Sequence, residues 1–121
     1  MLKEQELTYR IRGCVFEVFH CLGHGFVEKV YENALMAELA LQGIRARSQV
    51  CLPVIYKGKS IGEYFADIIV EDCVVLELKA QANISGVHET QLLNYLRAGN
   101  YCVGLLINFT YPKAEIKRFV I

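Results

Sequence analysis

The chain has 121 residues, 54% of them hydrophobic and 21% charged, which points to one domain over 1–121 with a single core and excludes the disordered and collagen-like classes. Thirteen Lys and Arg offset thirteen Asp and Glu, so no net field draws in a polyanion, and any nucleic-acid contact must rest on a local patch or on bound cations. No stretch has the 18 or so uninterrupted apolar residues of a membrane span, and "MLKEQELTYR" lacks the apolar run of a secretory signal, so a cytoplasmic protein away from membranes is expected.

From Leu7, the positions Ile11, Cys14, Val15, Val18 and Leu22 recur at three- and four-residue steps and predict an amphipathic helix. "GHG" at 23–25 breaks it, since glycine tolerates the left-handed geometry beyond a helix end. A second helix is expected from about Phe26 to Gln42, with Val27, Val30, Tyr31, Ala34, Leu35 and Leu39 inward and Gly43 as its stop. The period then shortens to that of strands: "SQVCLPVIY", a "KG" turn at 57–58, "KSIGEYFADIIV", a polar break at Glu71 and Asp72, and "CVVLELKA". These predict an antiparallel meander, with Pro53 marking an edge or a bulge because it cannot donate a ladder hydrogen bond.

Helical spacing returns in "SGVHETQLLNYLRAGN", with Ser85 as cap, Val87, Leu92, Tyr95 and Leu96 apolar, and Gly99 as stop. "YCVGLLINF" then has the near-continuous apolar character of a strand covered on both faces, and "EIKRFVI" closes the chain as a short strand. The fold class is therefore α/β in the broad sense, an α+β mixed sheet: order α-α-β-β-β-α-β-β, with a central, mainly antiparallel sheet flanked by helices. The five cysteines are odd in number, widely spread and without a CxxC, and they read as reduced, buried small hydrophobes.

Three charges interrupt the apolar strands: Asp67, Glu77 and Lys79. Glu77 and Lys79, two apart, share one strand face with Val75. A two-residue loop at Glu71 and Asp72 would set Asp67 on the wrong face, whereas a three-residue loop or one bulge sets it opposite Glu77. The second arrangement is predicted. Two convergent carboxylates supply hard oxygens suited to Mg²⁺ or Mn²⁺, and the lysine beside them would offset charge growing on a phosphoryl group.

Asp67 followed by Glu77-Leu78-Lys79 resembles the PD-(D/E)XK nuclease superfamily, with Ala66 where that motif names proline. "GFVEKVY" supplies Gly25, Glu28 and Tyr31, the signature of the small GxxExxY proteins grouped within it, and "QLLNY" supplies Gln91 and Tyr95, similar to the QxxxY helix motif of RecB-type nucleases. The resemblance implies a restriction-endonuclease-like core and a DNA or RNA substrate, DNA before RNA. It makes Asp67, Glu77, the Leu78 carbonyl and Glu28 ligands of Mg²⁺ or Mn²⁺, Lys79 the catalytic lysine, and Gln91 a contact to the metal shell, water or phosphate.

Tyr95, on the same helix face as Gln91, would reach nucleic acid or hold Gln91 in place. Lys57 and Lys59 at the hairpin tip, Arg97 and His88 are further substrate-binding candidates, with Arg45 and Arg47 before the first strand; all have ordinary surface roles as alternatives. Glu28 equally suits a helix N-terminus, and Tyr31 continues the inward stripe. The function expected is hydrolysis of phosphodiesters by a metal-activated water. The alternative is a catalytically silent module of the same fold that binds nucleic acid or protein; in either case a homodimer or a partner protein would widen the substrate contact.

Overall fold

The apolar stripe that starts at Leu7 buries Leu7, Ile11, Cys14, Val15 and Val18 along α1 (Glu4–Leu22) in the computed structural model, which describes residues 4–121. Gly23 and Gly25 then take φ of 71° and 109°, turning the chain back so that α2 (Glu28–Leu41) packs beside α1. Tyr31 anchors this turn: its ring stacks on Phe109 at 4.3 Å between centroids, and its hydroxyl donates to the Gly23 carbonyl. Val27 and Val30 are exposed, against the sequence expectation, because Val27 stands at the N-cap outside the helix and Val30 turns away from the Tyr31–Leu35–Leu39 stripe.

Five strands follow in spatial order β1-β2-β3-β4-β5: β1 (Ala46–Tyr56), β2 (Lys59–Val70), β3 (Val74–Lys79), β4 (Val103–Asn108) and β5 (Glu115–Val120). β1, β2 and β3 form the antiparallel meander, and Lys57 and Gly58, both at positive φ, make the two-residue turn between the first two strands. Pro53 lies on β1, an edge strand. β3 and β4 run parallel, a pairing that needs a long crossover, and α3 (Gly86–Gly99) supplies it. β5 returns antiparallel to β4.

The helices lie on both faces. Residues from α1 and α2 pack with Ile68, Val70, Leu76, Leu78, Leu105 and Ile107, while Leu92, Tyr95 and Leu96 of α3 pack with Ile69, Val75 and Leu106. All six β4 residues are buried, as expected of a strand covered on both sides. Val87, expected inward, is exposed in the first turn of α3, short of the sheet. All five cysteines are free and only Cys14 is buried: Cys21 lies off the buried stripe of α1, Cys51 faces outward on β1, and Cys73 and Cys102 stand just before β3 and β4.

Between β2 and β3 the loop holds three residues, Glu71 to Cys73, because Val70 pairs with Val74. Glu71 and Asp72 both take left-handed backbone, φ 54° and 50°, which lets so short a loop reverse the chain. Arg45, just before β1, and Arg47, on it, hold the loop, at 3.3 Å from Glu71 and 2.7 Å from Asp72. These two arginines, considered as substrate contacts from sequence, therefore serve the turn.

The exit of β3 is pinned by Asn108, fully buried at the end of β4. Its amide donates to the Gln81 carbonyl at 2.8 Å and its oxygen accepts the Gln81 N–H at 3.0 Å, fixing the segment just past Lys79. Asn108→Leu keeps the branched shape of the side chain, though in a somewhat larger volume, and strands both Gln81 backbone groups. Urea unfolding of this variant is expected to show a loss of about 2–3 kcal/mol with an unchanged m-value; a loss under about 0.5 kcal/mol would mean that the clamp does not secure the strand end.

Candidate active site

The register Ile68↔Leu76, Ile69↔Val75 and Val70↔Val74, continued by one step, sets Asp67 opposite Glu77. The three-residue loop thus produces the arrangement predicted from the sequence. The β2–β3 ladder stops before that step, and the strands part there. Asp67 Oδ2 accepts the Leu78 N–H at 2.8 Å, occupying with a side chain the place that a ladder carbonyl would have taken.

Glu77 follows Val75 onto the α3 face, where it is 4% exposed, and its Oε1 is buried without any hydrogen-bond partner. Lys79 Nζ stands 4.0 Å from its Oε2. Burial, reinforced by the charge of Asp67 and opposed by Lys79, pushes the Glu77 carboxyl up to about 8. Burial also raises Asp67, against the lowering effect of the Leu78 N–H. The two carboxyls thus compete for one proton or one cation.

Glu28 stands exposed in the first turn of α2, where its charge suits the helix dipole, and it makes no ion pair among the described residues. The carboxylate that α2 sends inward is Glu32, one turn further on and 5% exposed. Gln49 Nε2 donates to Glu32 Oε1 and Oε2 at 3.0 and 3.2 Å, and reaches Asp67 Oδ1 at 3.5 Å. Glu32 is thus the α2 carboxylate linked to Asp67, through Gln49. Its spacing to Leu35 and Leu39 already puts Glu32 on an apolar stripe, so this signal was readable in the sequence; nothing there singled out Gln49.

On α3, Gln91 Nε2 donates to the Tyr95 hydroxyl at 3.0 Å, and Tyr95 is 6% exposed. Of the two roles expected for Tyr95, holding Gln91 is the one its burial allows. Its phenol is pushed up to about 12, first by burial and then by the carboxylates of Glu77 and Asp67. His88 caps α3, its Nδ1 accepting the Ser85 N–H at 3.1 Å, with its Nε2 at 3.2 Å from Gln81 Nε2. His88 nevertheless shares with Lys79, Gln91, Asn94 and Tyr64 the wall of a groove of about 810 Å³.

A second cavity, of about 470 Å³, continues past Tyr64 and Asn94 to Arg97 and to Ile55 on the hairpin. Lys57 and Lys59 lie at the hairpin tip, on the order of 25 Å along the strand from Asp67. They are outside both cavities as lined. Tyr64, whose ring centroid is 5.1 Å from that of Tyr95, and Asn94 are groove residues the sequence did not flag.

The donor set suits a hard divalent cation: a buried carboxylate oxygen without a partner, a second carboxylate beside it, and oxygen ligands only. No group of three His, Cys, Asp or Glu side chains stands at metal-ligating spacing among the described residues.

A family model described as the PD-(D/E)XK nuclease superfamily matches residues 5–119. No curated protein matches. The crystal structure of SSO0001 superposes with a TM-score of 0.61 at 21% identity, over 77% of this chain and 50% of that one, which establishes the shared fold. The chain spans half the length of that protein. No helix among the described residues is long and apolar enough to cross a membrane.

The raised Glu77 carboxyl has a consequence for stability. Its folded value of about 8 exceeds the ordinary 4.5, so between those values the native state holds a proton that the unfolded state has released. The metal-free protein is therefore expected to lose stability as pH rises from about 5 to 8, by up to about 1.4 kcal/mol per pH unit. Melting curves at successive pH values should fall across this window in wild type and stay nearly flat in Glu77→Gln; a wild-type melting temperature that rises there would contradict the assignment.

Proposed function

The chain belongs to the PD-(D/E)XK nuclease superfamily, and on that footing we propose that it is a Mg²⁺- or Mn²⁺-dependent nuclease hydrolysing phosphodiester bonds of DNA, with RNA as the second substrate class. Gly25, Glu28 and Tyr31 place it, in our reading, with the GxxExxY proteins. The observation that carries the proposal is the unpartnered Glu77 oxygen, buried beside Asp67 and Lys79, with Lys79 also lining the open groove along α3.

Asp67 and Glu77 would hold the cation, with the Leu78 carbonyl within the same strand as a further oxygen and Glu32 as the acid nearest to them from α2. When bound, such an ion polarises a phosphoryl oxygen and lowers the pKa of a bound water. The Leu78 N–H keeps Asp67 turned toward Glu77. Lys79, with only 15% of its side chain exposed, brings a fixed positive charge to where negative charge grows on phosphorus. Gln91, steadied by Tyr95, offers an amide to phosphate or water from the opposite wall. Arg97, further along the groove, would neutralise a backbone phosphate away from the scissile bond.

The absence of a third ligating side chain among the described residues favours one other reading, a nucleic-acid- or protein-binding module without useful chemistry of its own, assisted by a second copy or a partner protein. Cleavage separates the two. Single-stranded, double-stranded and branched DNA and RNA, incubated with Mn²⁺ or Mg²⁺, should be cut by wild type and at least about 100-fold more slowly by Lys79→Ala. Activity unchanged in the variant, or absent on every substrate, would count against the nuclease.

Two further outcomes are expected. Asp67→Ala should weaken Mn²⁺ binding in calorimetry by at least about tenfold, and equal affinities would make the cluster structural. Arg97→Ala should weaken nucleic-acid binding on all sequences alike and reduce the salt slope of affinity by about one; an unchanged slope would remove Arg97 from the substrate path.

A further inference from the structure

Gln49 is the one residue inside the β1–β2 ladder, away from its turn, that takes left-handed backbone, with φ of 51°. It is not a glycine, so this conformation is strained, and strain of this kind persists only where the surroundings hold it. The ladder passes directly from Ser48↔Ile68 to Val50↔Ala66, skipping the step at which Gln49 would face Asp67.

At the same step the ribbon turns over. Ala46, Ile68 and Val70 pack with α1 and α2, whereas Val50, Leu52 and Ala66 pack with α3, although Ala66 and Ile68 would share a face in a regular strand. Asp67 sits on that turnover and so meets acids from both layers, Glu77 on the α3 side and Glu32 from α2. The Gln49 amide donates to Glu32 and reaches Asp67 from the solvent side.

We propose that Gln49 is a positioning residue: its left-handed backbone turns the β1–β2 ribbon over at Asp67, and its amide ties Asp67 to Glu32, which fixes the Asp67 carboxylate that pairs with Glu77 at the cation site. Lys29 Nζ already pairs with Glu32 Oε2 at 3.1 Å, and the Gln49 amide adds the donor that reaches both Glu32 and Asp67. The inference rests on the metal-site reading above, but its first test needs no metal.

Gln49→Gly keeps the left-handed backbone accessible and deletes the amide, so the variant should still fold, with a melting temperature lowered by the loss of the donor to Glu32. In metal-free urea unfolding, a double-mutant cycle of Gln49→Gly with Glu32→Gln should show coupling, the double variant differing from the sum of the singles. Additive effects would overturn the proposal whatever the metal does. In Mn²⁺ titrations, Gln49→Gly should bind about 10–100-fold more weakly than wild type. A loss that Glu32→Gln matches, and that does not deepen in the double variant, identifies action through Glu32; wild-type affinity in Gln49→Gly overturns the positioning role. Should wild type itself bind Mn²⁺ no better than Asp67→Ala, the metal-site reading fails, and the positioning role for a cation fails with it, while the cycle still decides whether the amide holds Glu32.

Discussion

A carboxylate cannot be taken out of water without compensation, and Glu77 is buried with one oxygen that meets no donor. The site follows from that constraint. In the metal-free protein a proton answers it, which is why the Glu77 carboxyl lies near 8. Lys79, at 4.0 Å, offsets only part of the cost. A group held at this expense in the centre of a sheet is poorly explained as an ion pair kept for stability, since buried pairs of this kind are often no better than apolar residues of the same size.

The surrounding fold serves to keep Glu77 and its neighbours in place. The three-residue turn at Glu71–Cys73, braced by Arg45 and Arg47, fixes the pairing that brings Asp67 level with Glu77. Asn108 fixes the exit of β3 past Lys79. Gly104 of β4 lets α3 approach, since a Cβ there would lie 2.9 Å from Leu92, the residue next to Gln91. Lys79 and the two acids thus stand on strands and Gln91 on a packed helix, which gives more precise placement than loops provide.

The sheet is also forked. β2 leaves β3 at Asp67 and continues with β1 as a ribbon whose inner face has moved from the α1–α2 layer to the α3 layer. That divergence opens the groove along α3, with Tyr64, Asn94 and Arg97 beyond the acids. A cavity of about 550 Å³ at the far end of the hairpin is lined by Arg45, Arg47, Glu71 and Asp72, which are already paired with one another.

Periodicity alone determined the eight elements and their order, because burying one face of a helix or strand leaves a repeat that can be counted. Asp67, Glu77, Lys79 and Gln91 were legible as charged or polar residues among apolar ones, and Glu32, on the stripe of Leu35 and Leu39, was legible in the same way. Only the tertiary structure decided that Gln49 ties Glu32 to Asp67, that Tyr95 serves Gln91 from a buried position, and that four cysteines face outward. Those outcomes depend on where one element crosses another, and on a left-handed Gln49 that no local preference signals. A chain's pattern records which faces are buried; it does not record how far along its length a helix overlies a particular strand.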